Sequence, residues 1–388
     1  MTATQPAAPA QALAVVTGVL ELHPKGFGFL RDPAKSFTPR PSDPYVPQPF
    51  VQRYALKAGQ LIGGPVEPAR KGATGPRLAN VTTVEGVDAK TFRRRPWDEL
   101  TPVDPTRQIK LETGAEPLTT RVIDLFTPVG FGQRGLIVAP PRTGKTVLLT
   151  HIAHAILTNH PTVKLMVLLV DERPEEVTEF RRGVIGAEVI ASSNDQEVAV
   201  HVRTAELAIE RAKRLVEQGQ DVVILLDSLT RLARAYNKFA GSGRTMSGGV
   251  DIKALDVPKR LFGSARSFDE GGSLTILGTA LVETNSRMDD VIFQEFKGTG
   301  NMELVLDRKL AEKRVYPAID LAQSGTRKEE RLLSPEVFER VTLIRRSLMT
   351  MGGRRDQSGE GMEALIKQLK KTDSNQEFLD TVGKALSK

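Results

Sequence analysis

The residues best suited to chemistry stand together at Ala139-Pro140-Pro141-Arg142-Thr143-Gly144-Lys145-Thr146. An apolar run from Gly135 to Ala139 precedes them, and Val147-Leu148-Leu149 with Ile152 and Ala153 opens a helical pattern behind them. Strand, tight loop, Gly-Lys-Thr and helix are the context of a loop that cradles a polyphosphate. A triphosphate is polyanionic and sits on unpaired backbone N–H groups at a helix N-terminus. Arg142, Thr143, Gly144, Lys145, Thr146 and Val147 are the ATP-binding candidates. Gly144 lets backbone approach phosphate with no side chain in the way. Lys145 can reach the β- and γ-phosphates, and the Thr146 hydroxyl can take a site on Mg²⁺. The usual motif opens on Gly where this chain has Ala139, a departure that leaves the chemistry intact.

Two further apolar runs end in acids. Val222-Val223-Ile224-Leu225-Leu226 leads to Asp227, and Lys164 to Val170 leads to Asp171-Glu172-Arg173. In a parallel sheet, ligands sit at the carboxyl ends of strands. Asp227 there suits a water-mediated hold on Mg²⁺, and Glu172 could polarise the water that attacks the γ-phosphate. An acid after a strand is also an ordinary helix cap; two of them beside a phosphate loop favour chemistry. Arg327, in Ser324-Gly325-Thr326-Arg327-Lys328-Glu329, would suit an arginine finger, in its own subunit or in a neighbour's. Two polar loops, Gly241 to Gly249 and Thr284 to Asp289, carry Arg244 and Arg287. They are either solvent loops or two grips on a nucleic-acid backbone.

The elements behind these residues alternate strand and helix from Gly114 on, which implies a parallel sheet with helices on both faces. Helical periodicity fills the tail from Pro335 to Leu386. The N-terminal part reads differently, as short strands among Gly and Pro, the pattern of a small β-barrel. Within Gly26-Phe27-Gly28-Phe29-Leu30-Arg31, two aromatics two apart point to one face of a strand. They are either a base-stacking platform flanked by phosphate-binding cations or the filling of a small core. Tyr45 adds a third aromatic and Arg53 another cation, in a barrel similar to a cold-shock type OB-fold. The charged, proline-bearing stretch 89–112 reads as a linker. The expected layout is a flexible tail (1–13), a barrel (14–88), the linker (89–112) and an α/β domain (113–388).

The chain has 388 residues, 40% of them hydrophobic, enough to fill two cores. It has no cysteine, which excludes disulfides and thiolate zinc sites. The net charge of +7 permits a polyanionic partner. No run approaches the ~20 apolar residues of a membrane span, and the uncharged start lacks a signal-peptide pattern, so a cytoplasmic protein without a membrane partner is expected. His151 and His154 share a helix face with no third ligand, which favours packing over metal.

Leu225 to Tyr236, Phe296 to Leu304, Asp171 to Val177 and Ser324 to Glu330, together with the aromatic stretch and the phosphate loop, resemble the bacterial transcription termination factor Rho family. The resemblance covers nearly the whole chain from about Val15. It implies a small all-β OB-fold (cold-shock-like) barrel followed by an α/β RecA-type P-loop ATPase domain with C-terminal helices, assembled as a homohexameric ring. It implies RNA-dependent ATP hydrolysis with Mg²⁺ and 5′-to-3′ translocation on single-stranded RNA. Unwinding of RNA–DNA hybrid and termination at the RNA polymerase elongation complex follow. Carried over by residue, Phe27, Phe29, Arg31 and Tyr45 lie at a primary RNA site where Asp43 accepts from a base. Glu172 is the catalytic base and Asp227 the Walker-B acid. Arg231 and Arg327 reach the γ-phosphate from a neighbouring subunit, and Tyr316 stacks on adenine. Arg244 and Arg287 contact RNA inside the ring, where the family more often has lysine; Arg142 also replaces a family lysine. A rotary or export ATPase subunit would share the phosphate loop but would not need Gly26 to Phe29 or the two basic loops. An RNA-binding protein with a degenerate ATPase domain would not keep Lys145, Thr146, Glu172 and Asp227.

Overall fold

The computed structural model describes residues 13–69, 75–240, 248–251, 253–351 and 358–386. The chain divides into two compact units, Met1–Arg94 and Arg95–Lys388. Of the tail at 1–13, only Leu13 lies among the described residues.

The first unit carries β1 (Val15–Leu22), β2 (Gly28–Arg31), β3 (Tyr45–Val46), helix α1 (Gln48–Arg53), β4 (Leu61–Glu67), β5 (Arg77–Leu78), β6 (Thr83–Val84) and β7 (Val87–Asp88). The strands pair in the order β1-β2-β3-β5-β4-β6-β7, and a further β1–β4 pairing closes the sheet on itself. Val19 therefore lies opposite both Arg31 and Leu61. Closure removes the open edges of a short-stranded sheet. Leu20, Leu30, Val46, Ile62, Leu78 and Val84 fill the interior. Because side chains alternate along a strand, Leu30 pointing inward sends Phe29 and Arg31 to the other face.

The second unit holds β8 (Pro102–Val103), β9 (Arg134–Ala139), β10 (Lys164–Glu172), β11 (Glu188–Ser193), β12 (Asp221–Asp227), β13 (Arg266–Phe268), β14 (Ser273–Leu281), β15 (Met302–Val305) and β16 (Gly325–Thr326). The main sheet runs β11-β10-β12-β14-β9-β15-β16. It is parallel up to β15, and β16 is antiparallel. Helices α2 (Leu118–Phe126), α3 (Lys145–Asn159), α4 (Pro174–Gly183), α5 (Val198–Val216), α6 (Leu229–Ala240), α7 (Asp256–Phe262), α8 (Arg287–Lys297) and α9 (Arg308–Glu312) connect the strands. The periodic C-terminal tail forms α10 (Pro335–Met351), α11 (Ser358–Leu369) and α12 (Asn375–Leu386). Val167, Leu168, Leu169, Val223, Ile224 and Leu225 are almost wholly buried. Helices covering both faces of a parallel sheet account for such unbroken apolar runs.

The stretch 89–112 is not a free tether. Ala89 and Phe92 pack against the barrel core. Trp97 N donates to Glu217 (2.8 Å), and the Trp97 ring stands edge-on to Phe268 (4.8 Å). β8 pairs with β13, and Ile109 and Leu111 enter the core of the second unit. Its charges and prolines mark extended chain laid on a surface, anchored by the apolar residues spaced among them.

Candidate ATP site and RNA-facing surfaces

Parallel order brings the loops after β9, β10 and β12 to one edge of the sheet. The loop after β9 turns through Arg142 (φ 66°) and Gly144 (φ 87°), both left-handed, before α3 begins at Lys145. Glycine adopts that conformation without strain. Thr143 Oγ1 closes the loop by donating to Pro140 O (2.8 Å). The Tyr316 ring, 45% exposed, covers Gly144, where an added Cβ would lie 3.7 Å from the ring. The adenine-stacking candidate thus stands beside the phosphate loop. Thr146 is half-buried and Val147 exposed in the first turn of α3.

Lys145 Nζ lies 2.6 Å from both carboxylate oxygens of Asp227 and 3.9 Å from Glu172 Oε2. Thr279 Oγ1, from β14, donates to Asp227 Oδ1 (2.7 Å). A bulge in β10 between Val170 and Glu172, with Asp171 at φ 55°, sets the aim of Glu172. Its side chain is 1% exposed, and Oε2 accepts no hydrogen bond from the described residues. Burial pushes the Glu172 carboxyl up to about 7, helped by the Asp227 charge and opposed by Lys145 and Arg231. A carboxyl near neutrality with one unsatisfied oxygen can take a proton from water. Among the described residues, no three His, Cys, Asp or Glu cluster as metal ligands. The set fits Mg²⁺, which uses one or two protein oxygens together with substrate phosphates and water.

Arg231, expected to reach a neighbour's nucleotide, is held within its own chain in this structure. From α6 it donates to Glu172 Oε1 (3.0 Å) and to the Asp171 carbonyl of its own chain. The buried Glu172 charge claims it. Arg327 lies elsewhere. Thr326 pairs with Met302, which pairs with Gly135 near the start of β9, whereas the phosphate loop leaves β9 after Ala139. Four residues at ~3.3 Å each put Arg327 roughly 13 Å back along the strand direction, at the other end of the sheet from its own phosphate loop.

On the barrel, Phe27, Phe29 and Tyr45 form a triangle with centroid distances of 5.9, 5.4 and 5.8 Å. All three are half-exposed and stand outside the barrel core. The geometry favours the platform over the core-filling alternative. Arg31, expected at the RNA site, is engaged by its own barrel. It lies over Phe29 (4.9 Å) and donates to Glu21 (2.5 Å) and Asp43 (2.5 Å), with only 8% of the residue exposed. Asp43 is likewise buried and also accepts from Arg40 N (2.8 Å), so its oxygens serve the fold before any base. Arg53 is exposed at the end of α1, over the Tyr54 ring (5.4 Å).

Arg287 is exposed at the first residue of α8. Gly248 (φ 82°) approaches it so closely that a Cβ would lie 3.0 Å from the Arg287 carbonyl. The described end of the first basic loop therefore meets the second; Arg244 itself lies outside the described residues. Thr279 and the Arg31–Asp43 pair were missed by sequence reasoning. Thr279 is one of three hydroxyl residues in β14, with Ser273 and Thr275, so its sequence does not single it out, and the Arg31–Asp43 pair leaves no spacing signal.

A family model for the Rho termination factor RNA-binding domain matches residues 16–90, and one for the ATP synthase alpha/beta family nucleotide-binding domain matches residues 119–326. The transcription termination factor Rho of Cereibacter sphaeroides is 50% identical over 370 residues, covering 94% of this chain and 86% of that protein. That of Aquifex aeolicus is 49% identical over 372 residues, covering 95% and 84%. That of Bacillus subtilis is 50% identical over 371 residues, covering 95% and 84%. Among solved structures, a prototypical ATPase from the type III secretion system of pathogenic bacteria aligns with a TM-score of 0.61 at 22% identity, covering 81% of this chain and 94% of that one. The assembled ATPase EscN of enteropathogenic E. coli aligns with a TM-score of 0.60 at 20% identity, covering 79% and 77%. These two likenesses carry the fold alone.

Proposed function

The chain belongs to the transcription termination factor Rho family, and from that premise we propose how its residues share the work. The barrel binds single-stranded RNA, the α/β domain binds and hydrolyses ATP, and the whole is an ATP-dependent termination factor. Its likeness to export ATPases stays at the level of fold, so that alternative is not favoured.

Phe27, Phe29 and Tyr45 stack on successive bases, while Arg31 and Asp43 hold the strand that presents them. Backbone from Arg142 to Val147 receives the phosphates, and Tyr316 stacks on adenine. An incoming γ-phosphate competes with Asp227 for the Lys145 ammonium. Mg²⁺, when bound, neutralises phosphate charge and would be held by the Thr146 hydroxyl and, through water, by Asp227. Glu172 takes the proton of the attacking water, and Arg231 fixes the orientation of its carboxylate. Arg327 stabilises charge on the γ-phosphate bound by a neighbouring copy. This implies a ring, taken to be a homohexamer, with Arg244 and Arg287 facing RNA in its centre. Each hydrolysis at a subunit boundary then shifts those loops along RNA, 5′ to 3′, toward the RNA–DNA hybrid held by RNA polymerase. No described helix is long and apolar enough to cross a membrane, and a cytoplasmic site of action agrees with a nascent-RNA substrate.

The observation that carries this reading is Glu172, buried and half-satisfied beside Lys145 and Asp227 at the phosphate loop. ATP hydrolysis measured with and without single-stranded RNA, alongside displacement of DNA from an RNA–DNA hybrid with a 5′ RNA tail, tests it. Strong RNA stimulation with ATP-dependent displacement is the expected result. RNA-independent hydrolysis without displacement would contradict it.

A further inference from the structure

The turn that carries Arg327 is fixed by hydrogen bonds on its N-terminal side. Arg345 donates to the carbonyls of Leu321 (2.6 Å) and Ser324 (2.8 Å). Thr326 Oγ1 donates to Pro128 O (2.8 Å), and Arg327 N to Asn301 O (2.9 Å). Past Arg327 the backbone enters the left-handed region at Lys328 (φ 56°). A lysine adopts that conformation only when its surroundings hold it there. On the backbone, Arg331 N–H donates to Lys328 O (3.0 Å); Asp104, just past β8, adds a hold through side chains. Its Oδ2 lies 2.7 Å from Lys328 Nζ and 2.8 Å from Arg331 Nη1. Cations crowd this corner. Arg134 is shifted below its usual range by burial first and then by the charges of Arg266 and Arg327. The Asp104 carboxyl is held below the ordinary carboxylate range, chiefly by the hydrogen bond from Lys328, with Arg331 and Arg134 adding to it.

We propose that Asp104 is a positioning residue for the arginine finger: by clamping Lys328 and Arg331 it fixes the turn from which Arg327 projects. Without it, Lys328 and Arg331 would repel Arg134 and Arg327, and the left-handed turn would keep its backbone bonds but lose its side-chain tie. This rests on the reading of Arg327 as a finger. It gives part of the stretch 95–112, between the RNA-binding and ATPase folds, a task in catalysis. The pairs are half-exposed, at 42% for Asp104 and 54% for Lys328, so solvent screens them and the effect is modest. Asp104→Ala is expected to lower kcat for RNA-stimulated hydrolysis about 3- to 10-fold with KM for ATP unchanged, as for an interaction felt in the transition state.

The test measures kcat, KM, thermal midpoint and oligomer size for the full chain carrying Asp104→Ala, Asp104→Glu, Arg327→Ala, or Asp104→Ala with Arg327→Ala. The expected pattern is a kcat loss in Asp104→Ala, recovery of most of it in Asp104→Glu, and no further loss when Asp104→Ala is added to Arg327→Ala. Full activity in Arg327→Ala would remove the finger reading itself, and this inference with it. An unchanged kcat in Asp104→Ala beside a crippled Arg327→Ala would overturn this inference alone. So would the same fold-loss in both backgrounds, or a loss explained by a lower midpoint or smaller oligomer.

Discussion

Glu172→Gln separates the chemistry of the carboxyl from its cost. In the fold this carboxyl titrates at about 7 rather than near 4.5, because burial and then Asp227 disfavour its charge. A tenfold change in acidity corresponds to about 1.4 kcal/mol, so ionising Glu172 in place costs about 3 kcal/mol more than in water. A raised carboxyl pKa means the folded state holds the proton between 4.5 and about 7 after the unfolded chain has released it. Stability is therefore lost as pH rises through that window. Glutamine never ionises, so the variant is expected to be up to about 3 kcal/mol more stable than the parent at pH 8, with the gap closing toward pH 4.5. Activity moves the other way. If Glu172 is the base, kcat/KM for ATP reports its free-enzyme titration and falls at pH 6 to about a tenth of its plateau. The variant should bind nucleotide, hydrolyse it about 10²- to 10⁴-fold more slowly, and lack an acid limb near 7 beyond that of ATP itself. Denaturant unfolding at several pH values and steady-state kinetics from pH 6 to 8.5 read both effects. A parent profile identical in shape to the variant's, or a stability gap independent of pH, would refute the reasoning.

Three other perturbations act on different parts of the molecule. Lys145→Ala should abolish hydrolysis and, by leaving buried Asp227 unpaired, destabilise the fold by about 3–5 kcal/mol; adding Asp227→Asn should restore the midpoint in thermal unfolding but not the activity. Phe27→Ala or Phe29→Ala should weaken single-stranded RNA binding about 5- to 150-fold in a fluorescence titration, from ~1–3 kcal/mol of stacking per base, with the barrel still folded because neither ring belongs to its core. Arg31→Ala should instead unfold the barrel in part, by about 3 kcal/mol or more in denaturant melts, because Asp43 would lose its buried partner.

Much of the candidate ATP site was legible because its signals are local. Gly144-Lys145-Thr146 sits between a readable strand and a readable helix, and Asp227 and Glu172 each close an apolar run. Parallel topology then brings those strand ends together. The aromatic triangle was half-legible: spacing put Phe27 and Phe29 on one face, but only barrel closure decides which face is the core. Competing charge is what the sequence hides. Arg31 is claimed by Asp43 and Glu21, and Arg231 by Glu172, through contacts that no spacing rule foretells. The stretch 89–112 misleads for a similar reason, since its composition resembles a tether while Trp97, Ile109 and Leu111 bind it to the second unit.

The central claim is that ATP is cleaved between copies, by the phosphate loop of one and Arg327 of the next. Mixing two severely impaired full-chain variants tests it most directly: Arg327→Ala, which keeps the loop, and Lys145→Ala with Asp227→Asn, which keeps the finger. Rings formed from both contain boundaries that pair an intact loop with an intact finger. RNA-dependent hydrolysis should return in proportion to such boundaries, well above the small residual rate of either variant alone. Mixed rings that stay inactive at every ratio, or a monomer that hydrolyses ATP at the full RNA-stimulated rate, would contradict the account.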